Sequence, residues 1–310
     1  MAPDLSIVVL SWNTAELLLA CLRSLRGDSA TGTREIIVVD NASEDGSADR
    51  VAAEFPEVRL IRNSKNLLYS EGNNIGARAA TGRWLCLLNS DTEVSPGALD
   101  RLVAFLREHP EHGMVGPKLV NPDGSVQAGC RRLPTLGEAF WSWGWLRRTR
   151  RGLAVEARAR MADFDHLSSR DVEQPLGACM MMLREEFLAI GGLDPKLSLF
   201  YNDVDLCLQL RQRGRRVHYL VDAVVMHHHG ASTKKKREEF GNPLWNANRV
   251  SFYRKHHGVL VAAVVWTMLL GSLLSMSLRI LLGRRKWAEK REVFGRFRLF
   301  AWRSLMGVKV

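Results

Sequence analysis

Three polar clusters place carboxylates or imidazoles where ordered structure should break into solvent. Asn89 to Val94 reads NSDTEV and directly follows the apolar stretch Arg83 to Leu88, so the Asp91 carboxylate stands at the end of a buried strand. Tyr201 to Cys207 reads YNDVDLC and Met226 to Gly230 reads MHHHG, each beside a strand or helix end. A carboxylate with an imidazole is a donor set for a divalent cation, and a further carboxylate nearby could take a proton. Together the clusters point to metal-assisted chemistry on an activated phosphate donor, with Asp91 anchoring the cation, His227 joining it and Asp203 acting as base. The mixed oxygen and nitrogen set suits manganese, whereas magnesium favours more oxygen and water. Plainer roles stand beside these: a strand-end turn for Asp91, a structural or exposed histidine for His227, and helix-dipole stabilisation for Asp203 and Asp205. The two aspartates are two residues apart in a first helical turn, so they point in different directions and only one faces a cleft.

Asp40 ends the run EIIVVD and precedes NASEDGS, which puts its carboxylate at the carboxyl edge of a sheet, where nucleotides bind in open α/β folds. It could accept a hydrogen bond from a base or ribose, or Asp40 or Asn41 could cap the next helix. Ser11, Trp12 and Asn13 end the first strand-like run and could line a base pocket, with ordinary core as the other place for Trp12. No GxGxxG or GxxxxGK[ST] occurs, and Leu5 to Glu16 contains no glycine. Without such a backbone cradle a diphosphate needs a cation or basic side chains, which favours the metal reading of Asp91 and disfavours dehydrogenase and P-loop chemistry.

The elements that must position these residues alternate. Leu5 to Leu10, Glu35 to Val39, Val58 to Arg62 and Trp84 to Leu88 read as strands, with helical spacing between them. Leu17, Leu18, Cys21, Leu22 and Leu25 predict an amphipathic helix over Ala15 to Leu25. Ser95 and Pro96 read as N-cap and first turn of a helix running to about His109. Met114 to Val120 and Val126 to Gly129 predict a hairpin around Asn121, Pro122, Asp123 and Gly124. Residues 131–170 have poor periodicity, with Trp141, Trp143 and Trp145 beside Arg147, Arg148, Arg150 and Arg151, and read as an insertion over the site or against a membrane. Gly177 to Leu183 predicts a buried strand, Asn202 to Arg213 a helix capped by Asn202 or Asp203 and ended by Gly214, and Val217 to Leu220 and Val224 to Met226 two further strands. The chain reads as an α/β catalytic domain over 1–233, a basic connector over 234–257 and a membrane-associating helical segment over 258–310.

Of 310 residues, 46% are apolar, enough for one sizeable core. The net charge is +11, but Arg279 to Val310 holds ten Lys or Arg against two Glu. That concentration behind an apolar segment favours anionic lipid over nucleic acid as a partner. Val259 to Leu278 has no charged residue in twenty positions, long enough to span a bilayer. The basic tail behind it belongs on the cytoplasmic side, where the catalytic domain also lies, so a re-entrant or in-plane helix reconciles the two; a long buried helix is the alternative. Trp287, Phe294, Phe297, Phe300 and Trp302 among arginines favour an interfacial helix. Five separated cysteines without a CxxC pair, and a start without a basic n-region, predict a reduced setting at the cytoplasmic face of the membrane.

The assembled strings VVLSWNTAELLLACLRSL, EIIVVDNASEDGS, NLLYSEGNNIGARAATGRWLCLLNSDTEV, LVNPDGS, PLGACMMMLREEF, GGLDPKLSLFYNDVDLCLQLRQRG and VVMHHHGAST stand in the order of the family 2 inverting glycosyltransferases, most resembling the bacterial rhamnosyltransferase-like branch. The resemblance covers about Ser6 to Thr233. It implies a glycosyltransferase-A fold, a Rossmann-like mixed sheet with helices on both faces, and a dTDP- or UDP-linked sugar donor. It places Ser11, Trp12, Asn13, Asp40, Asn66, Asn73, Asn89 and Asp91 at the donor, Asp91 and His227 at the manganese or magnesium ion, and Asp203 as base. Asn202, Asp205, Gly177 and Ala178 fall on the acceptor side or in support of it. Three departures stand out: Asn89-Ser90 in place of the usual start of the DxD-like motif, Asn202 for an acidic residue, and Leu68 for a glycine. The membrane-seeking tail implies a lipid-linked saccharide acceptor in envelope or polysaccharide assembly. A degenerate, nucleotide-sugar-binding scaffold subunit is the alternative that Asn89 and Asn202 keep open, and a sugar-phosphate nucleotidyltransferase lacks its glycine-rich first loop here.

Overall fold

A computed structural model describes residues 3–28, 32–141, 145–228 and 241–282, with the side chains of the last stretch described over 244–271. Parallel strands β1 (Leu5–Ser11), β2 (Arg34–Asp40), β3 (Arg59–Arg62) and β4 (Trp84–Asn89) are joined by helices α1 (Ala15–Gly27), α2 (Ser47–Glu54) and α3 (Leu68–Ala79). The chain continues through β5 (Thr92–Val94), α4 (Ala98–Glu108), β6 (His112–Val120), α5 (Leu136–Trp141), a 3-10 turn (Leu146–Arg148) and α6 (Arg150–Ala159). It ends with β7 (Arg170–Asp171), β8 (Cys179–Leu183), α7 (Arg184–Ile190), α8 (Asn202–Gln212), β9 (Arg216–His227) and α9 (Gly241–Leu282). The strand order is β3-β2-β1-β4-β8-β6-β9-β5, with β7 also on β9. Strand β8 is antiparallel to both β4 and β6, which makes the sheet mixed.

The inner strands are buried on both faces, which is why they read as continuous apolar runs rather than alternating ones. Ile7, Val9, Cys86 and Leu88 face α1 and α4 in one apolar layer, and Val8, Leu85 and Leu87 join the opposite layer with α3 and α8. Gly76 lets α3 approach β1: a methyl group there would come within 2.3 Å of Val8 Cγ1.

Several predicted boundaries differ. Helix α4 begins at Ala98 behind Gly97 (φ 73°), and Ser95 serves it through its carbonyl, which accepts the Ala98 N–H at 3.0 Å, so Ser95 is not the N-cap. The residue capping α8 is Tyr201, at φ 65°, not Asn202 or Asp203. Neither Asp40 nor Asn41 caps α2, because loop residues 42–45 separate even Asn41 from its cap position at Gly46. The two predicted strands over 217–226 are one strand, β9, with a shift in register opposite Pro117 and Lys118 that interrupts the apolar pattern. The expected hairpin reduces to a bridge between Val120 and Val126, although the Asn121–Gly124 turn forms as predicted.

The expected connector is partly a docked helix: Leu244, Ala247, Val250, Phe252 and Tyr253 on α9 are buried, and Tyr253 donates to the Thr135 carbonyl at 2.8 Å. The helix breaks at Gly258 (φ 85°), after which Val259, Leu260 and Val264 are 71, 85 and 55% exposed. Among the described residues no helix is long and apolar enough to cross a membrane, and the predicted apolar segment 259–278 runs beyond 271, the last residue whose side chain is described. The aromatic and basic run over 283–310, the rest of the MHHHG cluster beyond His228 and Trp143 lie outside the described residues.

Candidate active site

The strand order places the crossover between β1 and β4, and ligands in open α/β sheets bind beyond the carboxyl ends of strands at such a reversal. Ser11, Asp40 and Asn89 occupy those ends. Buried Asp40 accepts the Ser43 N–H through Oδ2 at 3.1 Å, while its Oδ1 is buried with no hydrogen-bond partner among the described residues. A buried carboxylate oxygen of this kind is expensive to leave unmatched, and a donor N–H or hydroxyl from a ligand would match it. Ser11 and Asn13 also hold the surrounding loops together. Ser11 Oγ, Thr14 Oγ1 and Ser90 Oγ form a buried chain at 3.1 and 2.9 Å that ties β1 to the residue before Asp91. Asn13, at φ 52°, receives the Glu44 N–H on its side chain and donates its own N–H to Ser43, locking the β1 and β2 loops together. Trp12 lies half-buried in the same loop.

Strand β5, which periodicity did not reveal, explains how Asp91 meets His227. It pairs antiparallel with the end of β9, Thr92 opposite His227, and the His228 N–H closes the turn on the Asp91 carbonyl at 2.8 Å. Asp91 Oδ1 and His227 Nε2 are thereby held 3.5 Å apart, with the residues only 2 and 5% exposed. Two ligands at right angles on one ion, each about 2.1 Å from it, sit about 3 Å apart, so this pair fits a divalent cation in both chemistry and spacing. The plain strand-end turn belongs to Thr92, whose hydroxyl donates to the Asn89 carbonyl at 2.7 Å.

The second carboxylate is adjacent through backbone. The Asn89 N–H donates to the Ala178 carbonyl at 2.9 Å, and next to Ala178 lies Gly177, where a methyl group would stand 3.2 Å from Asp203 Oδ2. Half-buried Asp203 accepts the Val204 N–H at 2.9 Å and the Gln174 side-chain N–H at 2.8 Å. Burial pushes its carboxyl above the ordinary aspartate range, against the opposing pull of those two donors. Tyr69 donates its hydroxyl to the Gly177 carbonyl at 2.8 Å, and its phenol is pushed up by burial and by the charges of both Asp203 and Asp91. Both carboxylates therefore bear electrostatically on the Tyr69 phenol.

The remaining predicted residues separate. Buried Asn202 accepts the Asp203 N–H at 2.7 Å and helps to set the start of α8. Asp205 is fully buried against α9, 2.9 Å from Lys255 Nζ and 2.6 Å from His256 Nε2, contacts that fit the supporting one of its two predicted roles. Asn66 accepts the Leu68 N–H at 2.9 Å and Asn73 donates to the Tyr69 carbonyl at 2.9 Å, so both shape the turn into α3 and its first turns. Leu68 is held at φ 63°, which accounts for the glycine usual at that point of the resembled segment. Tyr69, Gln174, Thr14 and Ser90 were not legible as site residues, because their partners lie far away in the chain.

A family model described as glycosyltransferase-like family 2 matches residues 3–240. An N-acetylglucosaminyl-diphospho-decaprenol L-rhamnosyltransferase of Mycobacterium tuberculosis is 28% identical over 211 residues, 62% of this chain and 66% of the relative. The O-antigen biosynthesis protein RfbC of Myxococcus xanthus is 30% identical over 232 residues, 73% of this chain and 17% of that protein. The chain thus spans slightly under two thirds of the former relative and a small part of the latter. Two solved structures share the glycosyltransferase-A fold. One is GalNAc-T7 with UDP, GalNAc and Mn2+, at TM-score 0.55 and 17% identity, covering 82% of this chain and 51% of that one. The other is the mannosyltransferase PcManGT of Pyrobaculum calidifontis with GDP-Man and Mn2+, at TM-score 0.53 and 16% identity, covering 98 and 88%.

Proposed function

Because the chain belongs to the family 2 glycosyltransferases, we propose that it transfers a hexosyl group, of which rhamnosyl is the leading candidate, from a dTDP- or UDP-linked donor with inversion at the anomeric carbon. The observation that carries this reading is the Asp91–His227 pair, 3.5 Å apart, beside a half-buried carboxylate on α8. Asp40 receives the base or ribose through its buried oxygen. Asp91 and His227 would hold the divalent cation, manganese or magnesium, which would supply charge neutralisation to the donor's diphosphate. Asp203 accepts the acceptor hydroxyl's proton, and its raised pKa makes it a stronger base than an ordinary aspartate. Gly177 leaves room beside that carboxylate for the incoming hydroxyl.

The acceptor is a lipid-linked saccharide, presented at the cytoplasmic face of a membrane. Support comes from the exposed apolar residues Val259, Leu260 and Val264, from Phe140 and Trp145 on the 131–170 segment against which α9 docks, and from the +8 charge of the last 32 residues. The relative's name, a transferase to a diphospho-decaprenol acceptor, points the same way. The test is to incubate protein with anionic vesicles and lipid-linked acceptor against a panel of nucleotide sugars, with and without manganese, and to measure nucleoside diphosphate release. Release that depends on one donor, on acceptor and on metal is expected. No release with any donor would favour the scaffold reading.

A further inference from the structure

The turn Asn121–Pro122–Asp123–Gly124–Ser125 and the glutamine behind it have no part in the chemistry described so far. Their side chains nevertheless form a continuous brace ending on His227. Asp123 Oδ1 accepts the Ser125 hydroxyl at 2.6 Å and the Ser125 N–H at 2.9 Å. Ser125 Oγ accepts from Asn121 Nδ2 at 2.8 Å, and Asn121 Oδ1 accepts from Gln127 Nε2 at 2.7 Å. Gln127 then grips His227 twice: Nε2 donates to the His227 carbonyl at 2.6 Å, and Oε1 lies 3.0 Å from His227 Nδ1.

These contacts leave one consistent proton placement. A backbone carbonyl only accepts, so the Gln127 atom facing it is the amide nitrogen, and the amide oxygen must face Nδ1. That oxygen also only accepts, so Nδ1 carries the hydrogen. In the neutral imidazole Nε2 then carries no hydrogen, and it lies 3.5 Å from Asp91 Oδ1. Two electron-pair donors facing one another suit a cation between them. The opposite tautomer would place an N–H there, and a nitrogen carrying hydrogen cannot ligate a cation.

We propose that Gln127 is a positioning residue that fixes the tautomer and ring orientation of His227 for the cation, and that the NPDGSVQ turn serves to hold it. This rests on the reading of His227 as a cation ligand. Partners of ligating histidines typically govern metal affinity by about 10- to 100-fold when removed.

The test uses the full chain without nucleotide. Mn2+ binding is read from the free-ion electron paramagnetic resonance signal, and the histidine tautomer from 15N NMR of histidine-labelled protein. Gln127→Met should weaken Mn2+ binding by about 10- to 100-fold and convert His227 from a single Nδ1–H tautomer to a mixture. Asn121→Ala, which keeps Gln127 but removes its brace, should move both readouts in the same direction by less, and it substitutes for Gln127→Met if that variant fails to fold. Unchanged Mn2+ affinity in these variants alongside a large loss in His227→Ala would overturn the positioning role alone. Unchanged affinity in His227→Ala would sink the cation reading and this inference with it. A native His227 found as the Nε2–H tautomer would overturn the inference directly.

Discussion

Asp203→Asn removes the proton acceptor and keeps the shape of the side chain. Asp203 Oδ1 accepts the Val204 N–H at 2.9 Å, which asparagine retains. Oδ2 accepts from Gln174 at 2.8 Å, and that contact survives if the Gln174 amide turns to offer its oxygen. The fold and the donor-facing residues stay in place, so the loss falls on proton removal: about 10²- to 10⁴-fold in kcat, equivalent to about 2.7–5.5 kcal/mol of barrier. Stability should move the opposite way. Burial raises the pKa of Asp203, so the folded protein holds this proton more tightly than the unfolded chain does. The resulting stabilisation is complete below the unfolded value of about 3.9 and disappears as pH climbs through the folded value. At neutral pH the ionised, buried carboxylate opposes folding, and a neutral asparagine relieves it. The assay pairs nucleoside diphosphate release at saturating donor with thermal melting at pH 7. Activity should fall while the melting temperature rises; near-full turnover, or a joint loss of activity and stability, would refute the assignment.

Three other outcomes follow from the same geometry. Asp91→Ala should abolish manganese-dependent turnover while leaving the far-UV circular dichroism unchanged, and titration with Mn2+ should then show no saturable site. Asp205→Ala strands His256 and Lys255 at the α8–α9 contact. Removing one partner of a buried pair costs about 3–5 kcal/mol, and because Lys255 also reaches Asp194 at 3.0 Å the lower end is expected; an unchanged urea midpoint would show that α9 is not tied to α8 in this way. Leu260→Asp together with Val264→Asp places charge on the exposed face beyond Gly258 and should reduce sedimentation with anionic vesicles without altering metal binding; equal sedimentation would remove this face from the membrane contact.

The central strands and the first helix were legible because a sheet covered on both faces forces continuous apolar runs, and a covered helix repeats them at three and four residues. That pattern located β1, β2, β4 and α1 to within a residue or two, and the carboxyl ends of those strands directed attention to Asp40 and Asp91. The amino-acid order also separated Asp203 from Asp205, since residues two apart on a helix must diverge. It did not show which of the two would be engaged by another helix. Tertiary packing decided that, by setting Lys255 and His256, fifty residues onward, against Asp205. The three-residue β5 is too short to show a period, yet its pairing with β9 is what joins Asp91 to His227. Gln127, Gln174 and Tyr69 act through partners 29 to 108 positions away. Short-range periodicity reports burial of one element against its neighbours; contacts between loops distant in the chain depend on sheet order and register, which only the assembled structure defines.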